Sequence, residues 1–428
     1  MRQTFLPTDP VARALTLSTM AFALSSGVFY TVSTLYFTRV VGLSATTVGL
    51  GLGIAGGAGV LAAYGAGRLS DRVGAHHVLA CATALMGAAM FAYQLAGDAV
   101  VFTVVACLAV ATRSATGSAK QALLARWYTG PNRVQVRARM RVVTNVFIGL
   151  GTVIAGAALL VDTAGAYHLA MASVGVLLLG ATVPVVLLAR RVPGLAERLA
   201  AGVPLRPAEP GVAGAPSPWR DRTYLASVAC NAVVALHFGL QTVGVPLWIA
   251  STDAPTVMVS VLLVLNTAVV ALLQVRASRG TDEVRRAGVT VRRASWLLAG
   301  ACLAYALAGF GSVAVACVLL VVAGLAHTLG EVLGEAGGWG MAFELADPRS
   351  AGAYQGLSQT GYAVASMISP VLVTSTAIDH GTPGWVLLAA VFLAAGAGAA
   401  VVARRGARLR ATAAAPTPVS PEVAPATP

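Results

Sequence analysis

The chain has 428 residues, of which 57% are hydrophobic and 11% charged, and its mean hydropathy is +0.78. Apolar stretches of about 20 residues recur along almost its whole length, each long enough to cross ~30 Å of hydrocarbon as a helix, which excludes a string of soluble domains. The net charge of +13 would suggest nucleic acid in a soluble protein, but here it lies in short connections with no aromatic-and-basic platform, so no nucleic-acid partner is expected.

Twelve spans are predicted, at roughly 13–38, 45–67, 77–96, 99–122, 141–162, 167–190, 223–250, 255–276, 292–310, 313–335, 354–378 and 384–403. The first is too long for the apolar part of a signal peptide and no small-residue cleavage site follows, so it is expected to be retained. The fold class is therefore all-α and membrane-integral. Arginine placement sets the orientation. Arg68 and Arg72 fall between spans two and three, and Arg126, Arg133, Arg137, Arg139 and Arg141 between four and five. Arg276, Arg279, Arg285, Arg286, Arg292 and Arg293 fall between eight and nine, and further arginines flank the middle and the C-terminus. The opposite side holds Arg39 alone. The positive-inside rule then puts both termini in the cytoplasm of a multi-pass protein of the cell membrane.

A Pro-, Ala- and Gly-rich segment, "RRVPGLAERLAAGVPLRPAEPGVAGAPSPWRDR", divides the spans six and six. The expected organisation is an N-terminal six-helix bundle over 1–190, a linker over 191–222 and a C-terminal six-helix bundle over 223–405. A disordered tail is expected over 406–428. The halves echo each other: Gly97-Asp98 precedes span four and Gly311-Ser312 precedes span ten, with Arg113 and His327 each 16 residues after the glycine. Internal repeats with a site between them near mid-membrane are a common plan among transporters.

Ionisable groups inside spans cost about 2.5–3.5 kcal/mol to insert, which makes them functional candidates. Arg113 lies near the middle of span four, with Lys120 seven residues on toward the cytoplasmic interface. In span ten, His327, Glu331 and Glu335 share one helical face through steps of four. Burial brings carboxylates into the proton affinity range of histidine, so this stripe is a candidate proton path. Candidate cavity residues are Tyr30 in span one, Asn231, His237 and Gln241 in span seven, and Asn266 in span eight. Phe29, Trp339 and Phe343 are further aromatic candidates. The five cysteines all fall in apolar segments without metal-ligand or CxxC spacing and read as small buried hydrophobes; no metal site is expected. No phosphate-binding loop is present, so ATP is not expected as the direct energy source.

Between spans two and three stands "GAGRLSDRVGAHH". Its Gly67, Asp71, Arg72 and Gly74 follow Gly-x-x-x-Asp-Arg-x-Gly, which resembles the signature of the major facilitator superfamily at this place. The family pattern continues with two basic residues; here they are His76 and His77. The resemblance implies a conformational latch in which Asp71 contacts the end of helix eleven and a nearby arginine in one state and releases them in the other. "RSATG" (113–117) resembles the family's Arg-x-x-x-Gly element in helix four, which implies a part for Arg113 in proton coupling. "ELADPRSAGAYQGL" (344–357) is similar to a segment of the drug-efflux branches, with Ala351 where that pattern often has arginine. The efflux Gly-Pro element of helix five is not matched, since "NVFIGLGTVIAGAALL" has no proline.

These features together imply a secondary transporter with a small-molecule substrate, driven by a proton gradient without a bound cofactor, monomeric in the bilayer and not an enzyme. The reading leans toward proton-coupled efflux of small, mostly apolar molecules such as antibiotics. The alternative is proton-coupled uptake of a nutrient or organic acid, in which Arg113 binds a carboxylate. A polytopic membrane enzyme is disfavoured, since no connection carries a dense set of catalytic residue types.

Overall fold

The structure, a computed structural model, describes residues 7–128, 131–195, 199 and 217–414. Twelve long helices account for nearly all of them. They are α1 Pro10–Leu35, α2 Ala45–Val73, α3 Ala75–Ala92, α4 Ala99–Trp127, α5 Pro131–Val161 and α6 Ala164–Arg191. In the second half they are α7 Arg222–Ala250, α8 Val257–Ala277, α9 Val284–Leu307, α10 Val313–Glu344, α11 Ala351–Val373 and α12 Thr382–Ala414. Eleven are long and apolar enough to cross a membrane; α9 falls short because of the arginines in its first turns.

Side chains short enough to bend back onto the first free N–H groups fix the helix starts. Asp9, Ser44, Asp98, Thr163, Asp221 and Ser312 cap α1, α2, α4, α6, α7 and α10. Asp9 also accepts from the Tyr128 hydroxyl, and burial beside this carboxylate pushes the phenol above its usual range. Helix α7 is not continuous: it breaks near Leu236 and passes through a π turn at Leu240–Gly244.

The helices pack in the same order in both halves. In the first, α2 lies on α4, α1 on α5 and α6, and α3 on α4 and α6. In the second, α8 lies on α10, α7 on α11 and α12, and α9 on α10 and α12. Adding six to each helix number converts one set into the other, so the echo at Gly97 and Gly311 reports a true structural repeat. The halves meet where α2 packs on α11 and α5 on α8, two contacts related by the repeat, and also where α4 meets α11.

Three expectations about connections are corrected. The charged stretch after span two is not a loop: α2 runs on through Val73, so Arg68, Asp71 and Arg72 are helical and the turn is Gly74 alone, at φ +91°. Helix α5 begins at Pro131, well before 141, and α9 at Val284, before 292. Arg133, Arg137, Arg139 and Arg141, and Arg285, Arg286, Arg292 and Arg293, therefore sit on helices instead of in loops. Buried or interfacial arginines lower local hydropathy, so a hydropathy reading ends a helix where the backbone continues. At the C-terminus α12 extends to Ala414, past 405. Most of the expected linker and the rest of the tail lie outside the described residues.

Candidate functional site

Helix α2 presents Asp71 to the start of α11. Its carboxylate accepts from the N–H groups of Gly352 at 2.8 Å and Ala353 at 2.6 Å, and from Arg126 of α4 at 2.7 Å. The first amides of a helix lack intrahelical partners and carry partial positive charge, so a carboxylate is well placed there. Glycines permit the approach. A Cβ on Gly67 would lie 2.6 Å from Cα and 2.8 Å from N of Gly356, inside van der Waals contact. Gly67 therefore serves helix contact, not a turn. Arg72 is exposed and takes no part in these bonds.

Two more ties join the halves, both from one face of α5. Arg133 pairs with Glu344 at the end of α10, its Nε donating at 3.1 Å, and Arg410 adds a contact at 3.5 Å. Eight residues on from Arg133, Arg141 pairs with Glu331 at 2.6 Å. The Glu331 side chain is 2% exposed, and its second oxygen accepts from Asn266 at 2.7 Å. Between them Arg137 lies over the Trp339 ring, 4.7 Å from its centroid, and donates to Gln121 at 2.7 Å. Trp339 and Phe343 are thus stacking partners for α5 arginines.

Beyond these ties the halves separate around a cavity of about 680 Å³ walled by α1, α2, α4 and α11. On α2 it ends at Ala63, one turn before the Gly67 seam. Arg113 and Lys120 both line it. Arg113 bonds the Tyr30 hydroxyl and approaches Ser26 at 3.5 Å; Lys120 donates to Thr19 at 3.3 Å. Phe22 lies between them, its ring centroid 5.4 Å from the guanidinium and 5.6 Å from the ammonium. Among the described residues no carboxylate lies within 4.0 Å of either cation. Gln359, Tyr362, Ser366 and Met367 form the opposite wall.

A second cavity of about 430 Å³ lies between α5 and helices α7, α8 and α10. Gln241, Asn266, His327 and Glu331 line it with Arg141. His327 Nε2 stands 3.3 Å from His237 Nδ1, and Tyr305 reaches His327 Nδ1 at 3.5 Å. Glu335 is buried, not at a surface, and accepts from Tyr362, whose ring faces the first cavity. Asn231 bonds Ser227 at 3.4 Å and lines neither cavity.

The structure thus gathers Asp71 and Gly67 at the closed end, Tyr30 and Arg113 in the first cavity, and His237, Gln241, Asn266, His327 and Glu331 around the second. Glu344 and Tyr362 were not singled out from the sequence, and Arg126, Arg133, Arg137 and Arg141 were read only as loop charges that set orientation. For α5 a signal existed: Arg133, Arg137 and Arg141 recur every four residues, the spacing of one helical face.

The same fold occurs in solved structures of low identity. The human organic anion transporter MFSD10 (TETRAN) superposes with a TM-score of 0.68 at 14% identity, covering 91% of this chain and 99% of that one. A bacterial homologue of the iron transporter ferroportin, in an outward-facing state with soaked iron, gives 0.72 at 15%, covering 92% and 99%. The proton:xylose symporter XylE bound to a bromodeoxyglucose gives 0.64 at 14%, covering 93% and 95%. No curated protein sequence matches the chain significantly. The family description Major Facilitator Superfamily matches residues 15–370, and with the paired six-helix halves this makes the chain a member of that superfamily of membrane transporters.

Proposed function

We propose that this chain is a proton-coupled secondary transporter that exports small amphipathic organic anions by alternating access. The observation that carries the reading is the pair Arg113 and Lys120, which face the larger cavity with no carboxylate partner among the described residues. A desolvated cation without an anion is costly, and a carboxylate, sulfonate or phosphate group entering the cavity relieves that cost. Phe22, Met367 and Pro370 offer apolar surface to the rest of such a molecule. Cationic drugs meet like charge there, so the geometry favours anions over the broader class of apolar antibiotics.

Glu331 is the group we assign to the driving proton. As a carboxylate it holds Arg141 across the α5 seam; as a carboxylic acid it no longer pairs with the guanidinium, and that tie between halves loosens. His237 and His327 lie beside it as relay groups. With the arginine-rich end in the cytoplasm, Asp71, Glu344 and Glu331 close the inner side and the cavity faces outward. Export is proposed on the similarity of residues 344–357 to efflux branches.

The test uses purified protein in proteoliposomes with an imposed pH gradient, an internal pH dye and a panel of aromatic carboxylates, cationic drugs and sugars. Anion-dependent proton movement opposite to the anion, lost in Arg113→Gln and in Glu331→Gln, supports the reading. Proton movement with the anion reverses the direction. A response to cations or sugars alone refutes the substrate class.

A further inference from the structure

The turn between α8 and α9 and the first turns of α9 enclose a pocket of about 460 Å³ separate from both cavities described above. Arg279, Arg285, Arg286 and Arg293 line it, against a single carboxylate, Glu283, which pairs with Arg286 at 2.7 Å. All four arginines are exposed, and among the described residues no carboxylate pairs with Arg279, Arg285 or Arg293.

The position of this pocket on α9 identifies its surroundings. Helix α9 packs on α10 and α12 through residues such as Val291, Ala294, Leu298 and Cys302, all buried. The opposite stripe carries Arg285, Arg292, Arg293, Trp296, Leu303 and Leu307, each exposed. It is basic for its first turns, then has Trp296 at 64% exposure, then is apolar to the end. An exposed stripe that changes from arginine through tryptophan to leucine crosses from headgroup to hydrocarbon, with the indole at the boundary. Arg293, one turn before Trp296, therefore stands at the depth of lipid phosphates, and the pocket opens outward from it.

We propose that this pocket is a binding site for the headgroup of an anionic phospholipid. Guanidinium groups match phosphate oxygens in a fork, and several arginines around one recess suit a phosphodiester, above all a doubly charged one. The acyl chains lie along Trp296, Leu303 and Leu307. The ligand is a membrane lipid and not a free anion, because the pocket adjoins this exposed apolar stripe through Arg293.

Native mass spectrometry of the purified full chain, delipidated and exposed to cardiolipin, phosphatidylglycerol or phosphatidylcholine, tests the proposal. Variants are Arg285→Gln/Arg286→Gln/Arg293→Gln and, as a control removing equal charge from the same end, Arg68→Gln/Arg190→Gln/Arg191→Gln. The expected result is retention of cardiolipin over phosphatidylcholine that falls at least tenfold in the first variant and stays within twofold in the control. Trp296→Ala should lower retention without any change of charge. Equal loss in both triple variants, or displacement of cardiolipin by equimolar inorganic pyrophosphate, would overturn the site. A matched thermal unfolding profile for all variants keeps loss of folding apart from loss of binding.

Discussion

The bond set around Asp71 gives a quantitative expectation for Asp71→Asn. In the wild type the carboxylate, 15% exposed, accepts two amide bonds from α11 and one from Arg126, whose side chain is 3% exposed. Asparagine keeps the shape but has one acceptor oxygen, so its NH2 group faces an amide donor. One charge-assisted bond between the halves is lost and the other becomes neutral. Hydrogen bonds to charged groups contribute about 1.5–3 kcal/mol and neutral ones about 1, so the seam weakens by about 2–5 kcal/mol. That shifts the ratio of closed to open forms at this end by at least roughly 30-fold and up to a few thousand-fold. Arg126 belongs to the same half as Asp71, so its lost partner weakens the half itself and not the seam. The assay places spin labels at Arg68→Cys on α2 and Arg349→Cys near α11 after replacement of the five native cysteines, and measures the distance distribution in nanodiscs. Asp71→Asn should move the population to longer distances, and Arg72→Gln should not, since Arg72 is exposed and outside the bond set. An unchanged distribution in Asp71→Asn would refute the view that these bonds hold the end shut.

Other consequences follow from the same geometry. Gly67→Leu should open the same label pair, because its side chain would overlap the α11 backbone at Gly356, an overpacking cost of about 1–3 kcal/mol that separation of the helices relieves. Arg141→Gln should destabilise the protein by about 3–5 kcal/mol in thermal unfolding, because it leaves the Glu331 carboxylate buried without its cation, and Arg141→Gln/Glu331→Gln should recover much of that loss; additive losses would contradict the pairing. Lys120→Gln and Arg113→Gln should each raise the KM for an anionic substrate by about 10- to 100-fold, as expected for lost charge-assisted contacts, with unfolding temperature little changed since neither cation has a carboxylate partner among the described residues to strand. Tyr362→Phe removes the donor to Glu335 and should lower stability by about 1–3 kcal/mol in thermal unfolding; an unchanged unfolding temperature would contradict the bond.

The amino-acid sequence by itself determined the class, the number of helices, most helix starts and the two-fold repeat. These follow from local quantities: apolar length against bilayer thickness, short polar caps, and matched glycines before α4 and α10. It also pointed to Arg113, Glu331 and His327, because ionisable groups are rare in an apolar stretch and therefore visible, and to Asp71 through the Gly-x-x-x-Asp-Arg-x-Gly resemblance. What it misplaced was charge at the ends of spans. Arg133, Arg137 and Arg141 read as loop residues that set orientation, yet they occupy a helical face buried against Glu344, Trp339 and Glu331 from the other half. Hydropathy records how a residue fares in water or lipid and is silent on a third environment, the interface between two bundles, where an arginine is stable only because a glutamate 190 positions away is brought to 2.6 Å. Asn231 misled for the converse reason: its helix face turns toward Ser227 and Gly338, not the cavity. Only the tertiary structure decided which charges cancel, and so left Arg113 and Lys120, among the described residues, as the cavity cations without carboxylate partners.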